Sequence, residues 1–212
     1  MPMSRRKRPY LIRLEGIYGV AVFERIGAAV AREAYRRGGI AFVTSTRAPS
    51  GPQGWVQANY DGVITTGNNL PPVQKIRVNK PVILISARHT TAPLPRVIPD
   101  DHAIGALAAQ HLISAGAVEL IALDWVDLGY VRRRFEGFLA TAKAAKIPCR
   151  VIDWTAALEG VSQRGSLAFS RALRQHIKRL FKDLPKAAGI FISADDRAAT
   201  LWHEAERIGW RA

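Results

Sequence analysis

The sequence predicts an α/β protein with parallel sheets, divided into two lobes. Short segments rich in β-branched residues alternate with amphipathic segments of about ten residues or more, which is typical of βαβ units. A proline-rich stretch without periodicity, residues 90–99, separates two such series of similar length. We therefore expect an N-terminal α/β lobe in residues 1–99 and a C-terminal α/β lobe in residues 100–212.

The first lobe is predicted to hold four strands and one long helix. Apolar residues recur at helical spacing over residues 20–37, and Gly38 and Gly39 then supply a helix stop. Short apolar runs predict the strands, which we place at residues 10–14, 40–44, 61–65 and 81–86.

In the second lobe the alternation restarts after the prolines. Asp100 or Asp101 can cap a helix that ends at Gly116. Helical spacing predicts that its inward face consists of Ile104, Leu107, Ala108 and Leu112. The remaining predicted elements are helices at residues 131–146, at residues ending near 184 and at 198–208, and strands at 118–123, 149–152 and 188–193.

Composition narrows the classes of function. Hydrophobic residues make up 48% and charged residues 23% of the 212 residues, which are ordinary proportions for a folded domain. Lysine and arginine total 31 against 17 acidic residues, so the net charge is +14. This excess favours a polyanionic partner such as nucleic acid, or it is surplus charge on a soluble chain. Both interpretations stay open at this point.

Metal, redox and secretory functions find little support in the sequence. The single cysteine, Cys149, excludes an internal disulfide and a Cys-based metal site, and the five histidines show no paired ligand spacing. The basic N-terminus leads into no apolar run, and no stretch approaches the roughly 18 apolar residues of a membrane span. We expect no metal, no cofactor, no membrane partner and a cytoplasmic location.

Enzymatic motifs are missing from the sequence as well. It contains no Gly-x-Ser-x-Gly elbow, no phosphate-binding loop that ends in Gly-Lys-Ser/Thr and no His-Glu-x-x-His motif. Because no nucleophile–base pair can be named, we expect a binding protein rather than an enzyme.

Three consecutive arginines at the start of a predicted helix form the first candidate site. Arg132, Arg133 and Arg134 oppose the helix dipole there, at a cost of ~0.3–1 kcal/mol per exposed charge. They point about 100° apart, so at most one or two can face a ligand. An arginine can bind a polyol or a carboxylate, because its planar guanidinium group donates parallel hydrogen bonds to two adjacent oxygens. Salt bridges to Asp127 or Glu136 are an equally weighted alternative.

Two adjacent aspartates form the second candidate site. Asp195 and Asp196 follow a predicted strand and lead into the last helix. Aspartate is an ideal N-cap that stabilises a helix by roughly 1 kcal/mol, and residue type alone favours that role. A pair allows one aspartate to cap while the other accepts hydrogen bonds from sugar hydroxyls.

Aromatic residues in predicted loops could complete a sugar site. Tyr18, Trp125 and Tyr130 all follow predicted strands. Their rings can stack on the apolar face of a pyranose, or they can simply cover an edge of the core.

Taken together, these motifs resemble the ligand-binding domain of the lactose-repressor/galactose-repressor superfamily, in the branch of xylose-operon regulators. The order and spacing of the motifs carry the resemblance more than any one of them does. The matching segments are Tyr18-Gly19 before a long helix, then residues 61–64, 98–112, 130–138 and 184–198.

The resemblance implies a fold, a ligand and site residues. The fold would be the type I periplasmic-binding-protein fold, with a sugar bound between two parallel-sheet lobes. Arg134 matches an arginine that contacts the sugar three residues before a helix glycine, and Asp195 matches the aspartate of the family's Asn-Asp pair. Ala194 stands where the family has that asparagine, and the position of Tyr130 often holds an aromatic residue.

The resemblance also implies a DNA partner. Regulators of this branch join the sensor to a C-terminal AraC-type DNA-binding domain, whereas no helix-turn-helix precedes the first strand here. We expect the second lobe to be incomplete at its C-terminus, and DNA to be contacted through a domain absent from this chain. The leading hypothesis is a cytoplasmic sugar sensor, with a pentose favoured as effector and a homodimer left open. The alternatives are a transport-type sugar-binding protein and a basic protein that contacts nucleic acid directly.

Overall fold

The structure, a computed structural model, describes residues 9–15, 21–44, 60–66, 80–86, 93–159, 167–185 and 187–210. Contacts within the chain divide it into two units, Met1–Ile98 and Pro99–Ala212. Every strand pair among the described residues is parallel. The predicted fold class, α/β with parallel sheets, is therefore confirmed.

The first unit is built on a four-stranded sheet in the order β2-β1-β3-β4. Its described elements are β1 (Leu11–Glu15), α1 (Ala21–Arg36), β2 (Ile40–Thr44), β3 (Gly62–Thr65) and β4 (Val82–Leu84). Val63, Val82 and Leu84 form a core with Tyr60 and Leu94. Buried residues alternate with more exposed ones along β3 and β4, because successive side chains of a strand point to opposite faces.

The end of the proline-rich stretch packs against the edge of this sheet. The Leu84 N–H donates to the Pro95 carbonyl at 2.9 Å, and the Val97 N–H donates to the Leu84 carbonyl at 2.8 Å. Leu94 is 6% exposed, so it belongs to the core of the first unit. Residues 93–98 thus add a single bridge rather than a further strand to the edge at β4.

The second unit is built on a three-stranded sheet in the order β6-β5-β7. Its strands are β5 (Glu119–Asp124), β6 (Cys149–Asp153) and β7 (Ala188–Ile192). Its helices are α2 (Asp101–Ser114), α3 (Gly129–Ala144), α4 (Thr155–Glu159), α5 (Leu167–Lys182) and α6 (Asp195–Glu206). The short helix α4 is absent from the sequence prediction.

Helices cover both faces of the second sheet. Ile121 and Leu123 of β5 belong to a core that α5 and α6 complete. The alternate residues Leu120 and Ala122 belong to a second core, which Phe138 of α3 and Ala109 of α2 complete. The central strand is therefore buried on both sides, as is usual for parallel sheets.

Two glycines set the distance between α2 and α3. A Cβ on Gly105 would lie 1.8 Å from the carbonyl oxygen of Arg134, and a Cβ on Gly137 would lie 2.0 Å from that of His102. Only a residue without a side chain permits this approach of two helix backbones. The close contact brings the first two turns of α2 against the second and third turns of α3.

The inward face of α2 differs from the prediction. Leu107 is 67% exposed, whereas the buried residues are Asp101, Gly105 and Ala109. These three buried residues are spaced four positions apart and so lie along one side of α2. That side faces α3 because the glycine contact holds the two helices together there. Leu107 lies about 200° around the helix from Gly105 and so faces away. The assignment of Leu107 to the inward face was wrong.

No helix among the described residues combines the length and the apolar composition that a membrane crossing needs.

Candidate functional site

Polar side chains of the second unit converge at the carboxyl ends of its strands. Leu123 of β5 is in register with Ile192 of β7, so the next residues, Asp124 at the end of β5 and Ser193 just after β7, lie side by side. The first turns of several helices begin at the same edge. We define the carboxyl-edge site as Asp101, Asp124, Tyr130, Arg134, Ser193 and Arg197.

A buried triad joins β5, β7 and α6 at this edge. The Ser193 hydroxyl donates to Asp124 Oδ2 at 2.5 Å and accepts from Arg197 Nη2 at 2.7 Å. Arg197 Nε lies 2.8 Å from Asp124 Oδ1 as an ion pair, although its N–H is not aimed at a hydrogen-bond acceptor. Asp124 and Ser193 are each 2% exposed, and Arg197 is 6% exposed. Such a buried, paired network fixes the geometry of the edge.

The charge of Arg197 is secured by its neighbours. Burial alone would lower the pKa of Arg197. The hydrogen bond to Tyr130 and the negative charge of Asp124 outweigh that effect, so the pKa of Arg197 lies above its usual value. The Trp125 N–H donates to Asp124 Oδ1 at 2.8 Å, which gives the buried carboxylate a further partner. Arg197 therefore stays cationic at any physiological pH.

Arg134 is held at the site by two acceptors. Its Nε donates to Asp101 Oδ1 at 3.0 Å, and its Nη1 donates to the backbone carbonyl oxygen of Ser193. Arg133 Nη2 donates to the other carboxylate oxygen of Asp101 at 3.2 Å. Because Asp101 is buried in the first turn of the neighbouring helix, its carboxylate supplies the counter-charge for both arginines.

Arg134 keeps donors for a further partner. A guanidinium carries five N–H groups. Two of them donate to described residues, and the side chain is 20% exposed. The remaining donors include both N–H groups of Nη2, which can bind one or two oxygens of a ligand.

Tyr130 lies between the two arginines of the site. Its ring centroid is 5.0 Å from Cζ of Arg134 and 5.9 Å from Cζ of Arg197. Its hydroxyl accepts from Arg197 Nη2 at 3.1 Å. The ring is partly buried, and it restricts the position of both guanidinium groups through cation–π contacts.

Asp195 and Asp196 are both exposed in the first turn of α6. The N-cap of α6 is Ala194, which has an extended backbone and makes no side-chain capping bond. The expectation that one of the aspartates caps this helix was wrong, because the helix begins one residue earlier than a cap at Asp195 requires. Asp195 follows Ser193 by two residues, and the Ser193 carbonyl is an acceptor of Arg134.

The other candidate residues are placed as follows. Trp125 is 5% exposed and its ring lies 6.3 Å from that of Phe169 in the core. Arg132 is exposed and forms a salt bridge with Asp127, one of the two partners considered from sequence. Tyr18 lies outside the described residues. Of the candidate residues that the structure describes, Arg134 and Tyr130 are brought together at the carboxyl edge, and Arg134 donates there to the backbone carbonyl of Ser193, two residues before Asp195.

Four residues of the site, Asp101, Asp124, Ser193 and Arg197, were missed from sequence, and three of them carry a signal. Asp124 is a carboxylate that directly follows an apolar strand, at the edge where parallel sheets bind ligands. Arg197 stands in the first turn of α6, where its charge opposes the helix dipole. Asp101 adjoins the true N-cap, Asp100, which accepts from the Ala103 N–H at 3.0 Å and leaves Asp101 free for the arginines.

Comparisons with known proteins agree with this architecture. Residues 56–210 match the family model described as periplasmic binding proteins and sugar binding domain of LacI family. A comparison with curated protein sequences finds no match.

Several solved structures share the fold. A regulatory protein of the LacI family from Chloroflexus aggregans has a TM-score of 0.69 and 17% identity, over 94% of this chain and 73% of that one. A periplasmic binding protein/LacI transcriptional regulator from Alkaliphilus metalliredigens, complexed with D-xylulofuranose, has a TM-score of 0.59 and 17% identity over the same shares. A periplasmic binding ribose operon repressor protein from Lactobacillus acidophilus has a TM-score of 0.67 and 16% identity, over 95% and 73%.

The family match covers most of the chain, and it includes every residue of the carboxyl-edge site. The low identities to the solved structures establish the fold alone. The chain belongs to the family of periplasmic binding proteins and sugar-binding domains of LacI-type regulators.

Proposed function

We propose that the chain is the sugar-sensing module of a bacterial transcriptional regulator similar to the xylose-operon regulators. The effector is a pentose, and its binding changes the affinity of the regulator for DNA. The observation that carries the proposal is the orientation of Arg134 and its unused hydrogen-bond donors. Arg134 is oriented by a buried carboxylate and a backbone carbonyl, and it keeps donors at the carboxyl edge of the sheet.

The chemistry of the edge suits a polyol. The free donors of Arg134 can bind two neighbouring hydroxyl oxygens of a sugar. The exposed carboxylate of Asp195 can accept from hydroxyl groups of the same molecule, because it lies two residues beyond the carbonyl that holds Arg134. A buried hydroxyl without a partner costs about 1–3 kcal/mol, so a donor and an acceptor on one edge favour a hydroxylated ligand.

The pentose is taken from the resemblance to xylose-operon regulators. Among structures with this fold, one is described as a complex with D-xylulofuranose and another as a ribose operon repressor, whereas others are described as a glucose-galactose binding protein and a probable maltose operon repressor. Trp125 is left out of the proposed site because its ring is buried in the core. The role of Tyr18 stays a prediction from sequence.

A transport-type sugar-binding protein is the second candidate, because the matched family includes periplasmic binding proteins. It would use the same donors and acceptors for the sugar. The two functions differ in their output: a sensor couples sugar binding to a change in DNA affinity, whereas a transport protein does not.

A thermal-shift screen tests the proposal. D-Xylose, D-xylulose, D-ribose, common hexoses and phosphorylated sugars would be compared, since a ligand at 100 times its Kd stabilises the protein by about 2.7 kcal/mol. We expect the largest shift from a pentose. Failure of every sugar to raise the melting temperature would overturn the proposal.

Two variants locate the binding residue. Arg134→Lys keeps the charge beside Asp101 but loses the planar fork, so we expect it to lose most of the sugar-induced shift. Arg132→Ala is the matched control, because it removes an exposed arginine two residues earlier on the same helix. Equal shifts in both variants and in the wild type would show that Arg134 does not bind the sugar.

A further inference from the structure

The outer face of α5 carries a line of cations that the sugar site does not use. Arg171, Lys178 and Lys182 are all exposed. They follow the spacing i, i+7, i+11, which places them on one line along the helix, about 16 Å long. We call these three residues the cationic stripe. Arg179 is exposed beside it.

The helix itself offers this stripe no compensating charge. The sequence of α5 contains no aspartate or glutamate. Among the described residues, no salt bridge involves a member of the stripe. Arg174 points elsewhere and is paired with the buried Glu204 at 2.9 Å. Asp183, the exposed acid that follows α5 in the sequence, lies beyond the last residue of the helix.

Helix stability does not explain the whole stripe. Cations in the last turn of a helix interact favourably with its dipole, which accounts for Arg179 and Lys182. Arg171 and Lys178 lie before that turn and gain little from it. The pKa of His176 in the same helix is lowered, first by burial and then by the positive charge of Arg179. The second cause shows that the cations of α5 also act on a neighbouring side chain.

Helix α1 of the same chain differs from α5 because it carries acidic residues among its cations. Arg25, Arg32 and Arg36 have the same spacing, i, i+7, i+11, and are also exposed. In α1, however, Glu33 binds both Arg36, at 2.7 Å, and Arg37, at 2.5 Å. Those cations hold the pKa of Glu33 down to about 2, so the acid stays ionised among them.

We propose that the cationic stripe of α5 is a non-specific binding surface for the phosphate backbone of double-stranded DNA. Duplex DNA carries one negative charge per ~1.7 Å of its axis, so a stripe of about 16 Å faces several phosphates at once. Phe169, Leu173, Ile177 and Leu180 of α5 are buried, and Leu167 at the first position of the helix is exposed. One large exposed apolar residue at the helix end does not form an apolar face that could insert into a lipid surface, and this favours DNA over a membrane.

This surface goes beyond the proposed sugar sensor, because it needs neither Arg134 nor Asp195. It would keep a regulator close to DNA in a sequence-independent manner. Specific recognition of an operator would require contacts to base edges, which this stripe does not supply.

Fluorescence anisotropy with a labelled duplex of about 30 base pairs and arbitrary sequence tests the proposal. The full chain and two triple variants would be titrated over a salt series. The first variant is Arg171→Gln/Lys178→Gln/Lys182→Gln. The matched control is Arg25→Gln/Arg32→Gln/Arg36→Gln, which removes the same charge at the same spacing. Glutamine is a good helix former, and circular dichroism checks that both variants are folded.

Each phosphate contact contributes about 0.9 to the slope of log affinity against log salt concentration. We expect the α5 variant to lower that slope by about 2–3, and the α1 variant to lower it by less than about 1. If the slope fell equally in the two variants, net charge alone would explain DNA binding, and the proposal would be overturned. The absence of binding by the wild type at about 50 mM salt, or binding to phosphatidylserine vesicles without binding to the duplex, would also overturn it.

Discussion

Arg134 and Asp101 are joined between α2 and α3: Arg134 Nε lies 3.0 Å from Asp101 Oδ1, and the carboxylate is 1% exposed. The other oxygen of Asp101 binds Arg133 at 3.2 Å. One buried carboxylate thus balances two arginines. It also orients Arg134 through Nε, so that the outer amino groups of the guanidinium remain for the Ser193 carbonyl and a ligand.

Replacement of Asp101 should therefore affect both stability and sugar binding. In Asp101→Asn the buried counter-charge of two arginines is lost, although one acceptor oxygen remains. We expect unfolding free energy to fall by roughly 1–3 kcal/mol, and sugar affinity to fall as Arg134 loses its orientation. Chemical denaturation and calorimetry would measure the two effects.

Asp100→Asn is the control for that variant. Asp100 is the N-cap of α2, and asparagine caps a helix about as well as aspartate. We expect this variant to keep wild-type stability and affinity. Similar losses in both variants would mean that the first turn of α2, rather than the Asp101 carboxylate, matters for the site.

The glycine contact between α2 and α3 gives a second prediction. Alanine normally stabilises a helix by about 0.5–1 kcal/mol relative to glycine. In Gly137→Ala the new Cβ would meet the backbone carbonyl of His102 at 2.0 Å, so the helices must separate. We expect a net loss of roughly 1–3 kcal/mol on denaturation. A variant more stable than the wild type would show that this contact does not set the helix spacing.

Much of the fold follows from local patterns that need no knowledge of distant contacts. The alternation of short apolar runs and amphipathic segments predicts β5, α3 and the end of α5 within a few residues, because the spacing of apolar residues is a local property of each element. Arg134 was singled out by a local argument, the conflict between its charge and the dipole of a helix expected to begin at residue 131. Because α3 begins at Gly129, Arg134 lies in the second turn, where that conflict is weak.

The rest depends on contacts between elements. The partner of Arg134 is 33 positions away in the sequence, and it reaches Arg134 only because Gly105 and Gly137 let two backbones touch. The same contact turns Leu107 outward, which periodicity alone could not reveal. The burial of Trp125 likewise depends on Phe169, which belongs to a helix more than forty residues later.

Acid should destabilise the protein in part through His176. Its ring packs against Trp154 with a centroid distance of 5.4 Å, and burial followed by the charge of Arg179 lower its pKa below the usual value of 6.5. The unfolded chain therefore binds the proton more readily. The contribution to stability is complete above about pH 6.5 and is lost as the pH falls towards the folded-state pKa.

Two measurements check this behaviour. We expect the His176→Gln variant to lose less stability than the wild type between pH 7.5 and 5.5 in thermal melts. Titration of the imidazole by NMR should give a midpoint below 6.5 in the wild type, and Arg179→Gln should raise it. A wild-type midpoint above 6.5 would contradict the account.

The central claim is that a sugar binds at the carboxyl edge of the second sheet, with Arg134 as donor and Asp195 as acceptor. Calorimetric titration of the preferred pentose into Asp195→Asn and Asp196→Asn tests it most directly. Both variants remove one exposed charge from the first turn of α6, so their effects on the helix are matched. The account predicts that Asp195→Asn weakens binding about tenfold or more, in line with the ~1.5–3 kcal/mol of a charge-assisted hydrogen bond, while Asp196→Asn keeps wild-type affinity. Wild-type affinity in Asp195→Asn, or equal losses in both variants, would contradict it.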